Sequence, residues 1–115
     1  MPKKPSIARL ITQFSRNEIS QLFNHARSIY RNTHFDIRVA KAAQLVGRIL
    51  IITPRKMGNA PQRNTIRRRL KALFYQEKWY EQPYDWIVYC KKKSDSLSFT
   101  EIKQMFLPII ASFAR

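Results

Sequence analysis

The chain has 115 residues, with 22 Lys or Arg against seven Asp or Glu, for a formal net charge of +15. That length suits one domain with a single hydrophobic core. Hydrophobic residues make up 44% of the chain and include two Trp, five Tyr and seven Phe, which excludes a disordered basic tail. The strong positive charge favours a polyanionic partner, and nucleic acid is the leading candidate.

Cysteine usage and hydropathy exclude further classes of protein. The single Cys90 can form neither an internal disulfide nor a multi-thiolate metal site, which favours a reducing compartment. The longest apolar runs fall far short of the ~20 residues that a transmembrane helix needs, so we expect no membrane association. Residues 1–14 are basic but lack the continuous apolar core of a secretory signal. We interpret them as the N-terminal arm of a cytoplasmic protein.

The first predicted element is a short helix that follows this arm. Ser15 and Glu18 have the spacing of a capping box. Ile19, Leu22 and Phe23 follow at helical spacing and form an apolar stripe.

Strands are predicted on both sides of a central helix. Residues 35–43 alternate apolar and charged side chains, and residues 47–53 form a β-branched run closed by a proline, which predicts strands in this region. Asn59 is the expected cap of the central helix, with Pro61 in its first turn and its end near residues 75–78. Residues 84–90 are apolar on both faces, which predicts a central strand covered on both sides.

The last predicted helix begins with a second capping box. Ser98 and Glu101 provide it, and an apolar stripe runs from there to residue 113. Pro108 should kink or end this helix. The predicted order is one helix, two or three strands, the central helix, a strand and a helix, roughly αβββαβα. It indicates an α+β fold: one α-β sandwich domain over residues 15–115.

The central helix carries an unusual charge pattern. Residues 58–74, GNAPQRNTIRRRLKALF, contain five basic residues and no acidic residue. On a helical wheel an apolar stripe seats the helix on a sheet, and Arg69 lies on one flank. The outward-facing residues form one polar row, which we call the basic strip: Arg63, Asn64, Arg67, Arg68 and Lys71.

The basic strip is either a solvated helix face or a binding surface for an anion. Solvated faces usually alternate acidic and basic residues, because like charges four residues apart are destabilising. The strip has two such like-charge pairs, which favours an external polyanion. The preceding turn contains Arg55, Lys56, Gly58 and Asn59, and its backbone donors and helix N-terminus favour phosphate.

The stretch RKMGNAPQRNTIRRRLKALF, residues 55–74, resembles the signature of the bacterial ribonuclease P protein subunit. The agreement includes the Gly-Asn-Ala turn, the Arg63-Asn64 pair and the basic residues that follow. Weaker agreement extends over most of the chain. The resemblance implies an α-β sandwich with a left-handed crossover through the Arg-rich helix, a fold also found in a ribosomal-protein domain.

The resemblance also implies a function. The protein of this family joins a catalytic RNA, and the complex removes the 5′ leader from precursor tRNA. The RNA and its Mg²⁺ ions carry the chemistry, and the protein holds no cofactor and no catalytic residue. One protein is expected for each RNA. A cleft with Ile19 and Phe23 would bind the leader. The residues implied in RNA binding are Arg55, Lys56, Gly58, Asn59, Arg63, Asn64, Arg67, Arg68 and Lys71.

One residue departs from the family signature. Thr65 stands where the family has the second arginine of its Arg-Asn-Arg motif, and Arg69, one turn later, is a candidate replacement. Phe23 is equally well explained as a core residue on the apolar stripe of its helix.

Other functions remain open from the sequence. The alternatives are a structural RNA-binding protein of ribosomal type and a nonspecific DNA-coating protein. A protein nuclease is disfavoured, because the seven acidic residues are scattered outside the basic surface and His25 and His34 stand nine residues apart.

Overall fold

The computed structural model describes residues 6–113. From α2 onward, the helices and strands follow the predicted order αβββαβα. None of the helices in this part of the chain is long and apolar enough to cross a membrane. The helices are α1 (Ile7–Leu10), α2 (Arg16–His25), α3 (Ala60–Gln76) and α4 (Phe99–Phe113), and the strands are β1 (Arg27–Arg31), β2 (Phe35–Lys41), β3 (Ile49–Ile52) and β4 (Tyr84–Cys90).

The strands form one mixed sheet in the order β1-β2-β4-β3. The β1–β2 and β2–β4 pairs are antiparallel, whereas β3 and β4 are parallel neighbours. A parallel pair needs a crossover connection, and α3 supplies it. The predicted α+β sandwich with a central β4 is therefore confirmed. The left-handed sense of the crossover stays a prediction.

One face of the sheet forms the main hydrophobic core. Alternate residues of β2, namely Phe35, Ile37 and Val39, point into this core, as period-two alternation requires. Helices α3 and α4 cover this face with their apolar stripes. The Phe106 ring of α4 packs edge-on against Phe35 and parallel to Trp79, with ring centroids 5.7 Å apart in both pairs.

The other face of the sheet has a thinner cover. Helix α2 lies on it and buries one residue fully, Leu22. Its start matches the prediction, since the Ser15 hydroxyl accepts a hydrogen bond from the Glu18 N–H and the Glu18 carboxylate accepts one from the Ser15 N–H. One side of the sheet therefore holds a large core, and the opposite side keeps part of its surface open.

The segment before α2 packs more closely than we expected for an arm. Ile11 is 0% exposed and belongs to the main core. Its carbonyl accepts a hydrogen bond from the Ile49 N–H at 2.7 Å, so the segment covers part of the free edge of β3. Residues 1–5 of the predicted arm lie outside the described residues.

Helix α4 continues through Pro108 to Phe113. We expected the proline to kink or end the helix, and an end at that residue is not observed. The capping box at Ser98 and Glu101 is formed. Beyond the proline, Ile109 and Ile110 are both buried in the core. Proline removes one helical hydrogen bond, and the burial of these two side chains favours continuation of the helix.

Candidate nucleic-acid interface

The turn before α3 is closed by a reciprocal cap. The Asn59 side chain accepts a hydrogen bond from the Gln62 N–H at 3.0 Å, and the Gln62 side chain accepts one from the Asn59 N–H at 2.8 Å. A Cβ atom at Gly58 would lie 2.4 Å from the Gln62 Oε1 atom. A larger residue at position 58 would therefore displace the Gln62 side chain and disturb the cap that marks where α3 begins.

The basic strip lies on the outer surface of α3, as the helical wheel predicted. The opposite stripe, Ile66, Leu70, Leu73 and Phe74, is fully buried. Among residues 6–113, no side chain of the strip forms an ion pair or a hydrogen bond with another protein group. Most of its members are exposed, and Arg63 is half-buried with its Nε atom enclosed and unpaired.

The strip borders a groove beside the edge strand β3. Arg67, Arg68 and Lys71 form one wall of this groove of about 270 Å³, and residues 49–51 of β3 line it with apolar side chains. Free guanidinium groups match phosphate oxygens in geometry and charge. The arrangement therefore suits a polyanion that lies along the helix.

Basic residues also surround the turn at residues 55–57. Arg55 and Lys56 are both exposed. Lys56 lines a cavity of about 400 Å³ with Lys91 and Lys92, which follow β4. The fold thus brings Lys91 and Lys92, which the sequence reasoning had not selected, close to the turn. In the sequence, the run of three lysines at residues 91–93 was the feature that could have indicated this basic surface.

Arg69 makes structural contacts, which argue against its replacing the missing motif arginine. Its guanidinium donates hydrogen bonds to the backbone carbonyls of Asp95, at 2.7 Å, and Leu97. These bonds fasten α3 to the loop before α4. Thr65 donates its hydroxyl to the Pro61 carbonyl one turn earlier, at 2.9 Å, so its hydrogen bond stays within the helix.

A separate cleft lies on the open face of the sheet, beside α2. Phe23 lines it and is 46% exposed, so its alternative assignment as a core residue is wrong. Arg38 and Tyr89 line the same cleft of about 150 Å³. Ile19 is half-buried and does not line the cleft.

A buried ion cluster that sequence reasoning missed holds α2 in place. The Arg48 guanidinium contacts Glu18 at 2.6 Å and Asp85 at 3.3 Å, and it donates a hydrogen bond to the Gln13 carbonyl. It also lies over the Phe14 ring, 4.3 Å from the centroid. We call Glu18, Arg48 and Asp85 the Arg48 cluster. The sequence signal for this cluster was Arg48 itself, a charged residue inside an apolar run.

Cys90 is buried, and within the described residues the acidic side chains form no metal-binding cluster. Burial raises the pKa of the Cys90 thiol to about 12, so the thiol stays protonated. Within residues 6–113, no three His, Cys, Asp or Glu side chains stand close enough together to hold a metal ion.

Comparison with known sequences points to one family. The ribonuclease P family model matches residues 8–113 of the chain. The ribonuclease P protein component of Streptococcus agalactiae is 24% identical over 96 residues, which are 84% of this chain and 87% of that protein. The protein of the same name from Levilactobacillus brevis is 26% identical over 94 residues, 81% of this chain and 80% of that protein.

Solved structures show a similar fold. The ribonuclease P protein of Thermotoga maritima superposes with a TM-score of 0.73 at 22% identity, covering 88% of this chain and 96% of that one. The Staphylococcus aureus protein gives a TM-score of 0.71 at 20% identity, covering 91% and 95%. The predicted fold class is confirmed by this likeness.

Proposed function

Because the chain belongs to the ribonuclease P protein family, we propose that it binds a catalytic RNA and helps that RNA remove the 5′ leader from precursor tRNA. The chain is thus a protein component of a ribonucleoprotein with an RNA partner. The observation that carries the proposal is the basic strip, whose cations have no acidic partner on α3.

We assign the contact with the catalytic RNA to the basic strip and the turn before it. Arg67, Arg68 and Lys71 project from one side of α3, where repeated positive charge is stabilised by RNA phosphates. The turn adds Arg55 and Lys56 beside the positive end of the helix dipole. If five to eight phosphates are contacted, log affinity should fall with log salt at a slope of roughly −4 to −7.

We assign the leader to the cleft on the open face of the sheet. Phe23 offers a stacking surface for an unpaired base, and Arg38 offers a cation beside it. Asp36 lies between Arg31 and Arg38, at 3.5 and 3.9 Å, which restrains both arginines without neutralising both charges. Phe23 is a stronger candidate than Ile19, since Ile19 lies outside the cleft.

The proposed chemistry belongs to the RNA and its Mg²⁺ ions. The outer surface of α3 is cationic, which disfavours the binding of divalent cations there and suits a partner that brings its own. We propose one protein for each RNA, acting in the cytoplasm, where the free Cys90 thiol persists.

Reconstitution with a bacterial ribonuclease P RNA tests the proposal. At low Mg²⁺, the chain should increase the rate at which this RNA cleaves a precursor tRNA at the mature 5′ end. The paired change Arg67→Ala and Arg68→Ala should weaken RNA binding and reduce the salt slope by about two. Arg27→Ala, an exposed arginine on the far edge strand β1, is the matched control. RNA binding without stimulation of cleavage would favour the structural alternative of ribosomal type.

The leader assignment has its own test. Phe23→Ala should weaken the holoenzyme's affinity for precursor tRNA by about five- to 150-fold and leave its affinity for mature tRNA unchanged, because only the precursor carries the leader. Leu45→Ala, which changes a fully exposed apolar side chain in a loop, is the control. Equal losses for precursor and mature tRNA would rule out a leader contact at Phe23.

A further inference from the structure

We infer that Tyr75 and Tyr80 form a platform on which an unpaired base of the RNA subunit stacks, at the end of the basic strip. The inference rests on the proposed function, because it names a contact within the same ribonucleoprotein. Neither tyrosine belongs to the signature that carried the family resemblance.

The two rings are already arranged as a platform. Their centroids lie 6.2 Å apart and their planes differ by 26°. Tyr75 is 45% exposed, whereas Tyr80 is half-buried against the core. The Tyr80 carbonyl accepts a hydrogen bond from the buried Gly47 N–H at 2.8 Å. Tyr80 is therefore fixed to the body of the protein and supports the exposed Tyr75 ring, which reduces the entropy lost when a base stacks on it.

The position of Tyr75 on α3 links this platform to the basic strip. Tyr75 follows Lys71 by one turn and Arg68 by nearly two turns, which places it about 6 Å and 10 Å farther along the helix axis. On the helical wheel it points between these two residues, about 40° from Lys71 and 20° from Arg68. A strand whose phosphates contact Lys71 and Arg68 therefore brings a neighbouring base to the Tyr75 ring.

The chemistry of this surface selects an unpaired base over other occupants. Bases inside an RNA duplex are stacked on each other, and single-stranded or bulged bases are the ones that stack on aromatic side chains. A protein partner would need a larger apolar area. In the described part of the chain, Tyr75 is the one large apolar side chain exposed on α3, and cations occupy the helix surface beside it.

Salt-dependent binding to a bacterial ribonuclease P RNA separates stacking from charge. Tyr75→Ala and Tyr75→Leu should each weaken binding at least about fivefold, and Tyr75→Phe should bind as the unaltered chain does. The salt slope should stay unchanged in all three variants, because stacking releases no counterions. Lys71→Ala is the charge comparison, and it should reduce the slope by about one. Thermal unfolding of each variant confirms that it folds.

A spectroscopic measurement tests the same contact without loss of affinity. The exposed indole of Tyr75→Trp should be quenched when the RNA binds, while Trp79 and Trp86 are buried and change little. Affinity of Tyr75→Ala equal to that of the unaltered chain would overturn the inference and leave the proposed function standing. The inference would also be overturned if the unaltered chain self-associates and Tyr75→Ala abolishes this self-association without changing the affinity for RNA. If the unaltered chain binds this RNA no better than an unrelated RNA of equal length, both proposals fail.

Discussion

Removing the cation from the Arg48 cluster tests how α2 is held on the sheet. We expect Arg48→Met to lower the free energy of unfolding by about 3 kcal/mol, the lower end of the cost of breaking a buried ion pair. The Asp85 side chain is 4% exposed and is left without its cation. Glu18 is 31% exposed and regains water, and the residue 48 N–H still donates to Asp85 at 2.9 Å, which limits the loss.

Urea unfolding at neutral pH measures this loss. With an m-value near 1.5 kcal/mol per molar, a loss of about 3 kcal/mol in unfolding free energy lowers the urea midpoint by roughly 2 M. Arg9→Met changes an exposed arginine in α1 and should stay within about 0.5 kcal/mol of the unaltered chain.

A double-mutant cycle separates the ion pair from general damage. Arg48→Met and Asp85→Asn should together cost less than the sum of the single changes, by at least about 1 kcal/mol, because the two side chains contact each other. Additive losses, or a loss below about 1 kcal/mol for Arg48→Met alone, would refute the reasoning.

Three further predictions concern Arg69, the thiol and the helix caps. Arg69→Met should lower the free energy of unfolding by about 1–3 kcal/mol, because two backbone carbonyls lose their donor. Its salt slope for RNA binding should not change; a decrease of about one would make Arg69 a phosphate contact after all. Cys90, whose pKa burial raises to about 12, should react with a thiol reagent at pH 8 only when urea unfolds the chain, and rapid labelling of the folded chain would contradict its burial. Hydrogen bonds from the N-cap backbone N–H groups lower the pKa of Glu18 and Glu101 below the usual 4.5. Carboxylates with a lowered folded pKa stabilise the protein fully above about pH 4.5 and lose this effect as the pH falls through the folded value, so acid should destabilise the unaltered chain more than Glu18→Gln with Glu101→Gln. If urea unfolding gave the same pH dependence of unfolding free energy for both proteins, this prediction would be contradicted.

Local signals predicted most of the helices and strands. The capping boxes at residues 15 and 98 and the cap at Asn59 each depend on residues three positions apart, and each is formed. Strand β1 lacked such a signal, because it is a polar edge strand with a bulge between Ser28 and Tyr30. Its pairing with β2 depends on the tertiary fold.

Contacts between distant segments were not predictable in the same way. The Arg48 cluster joins α2, the start of β3 and β4, which are far apart in sequence. The helical stripe of α2 could not decide which residue is buried against the sheet: Leu22 is, and Phe23 lines the cleft. The basic strip was predictable because one amphipathic helix fixes both its buried and its exposed sides.

The unequal cover of the sheet has an evolutionary consequence. Stability comes mostly from the face under α3 and α4, while Phe23, Arg38 and Tyr89 line a cleft on the other face. Substitutions in that cleft alter few core contacts, so they can change its shape and charge at little cost in folding. If the leader binds there, leader preference can diverge between lineages while the framework of the fold is retained.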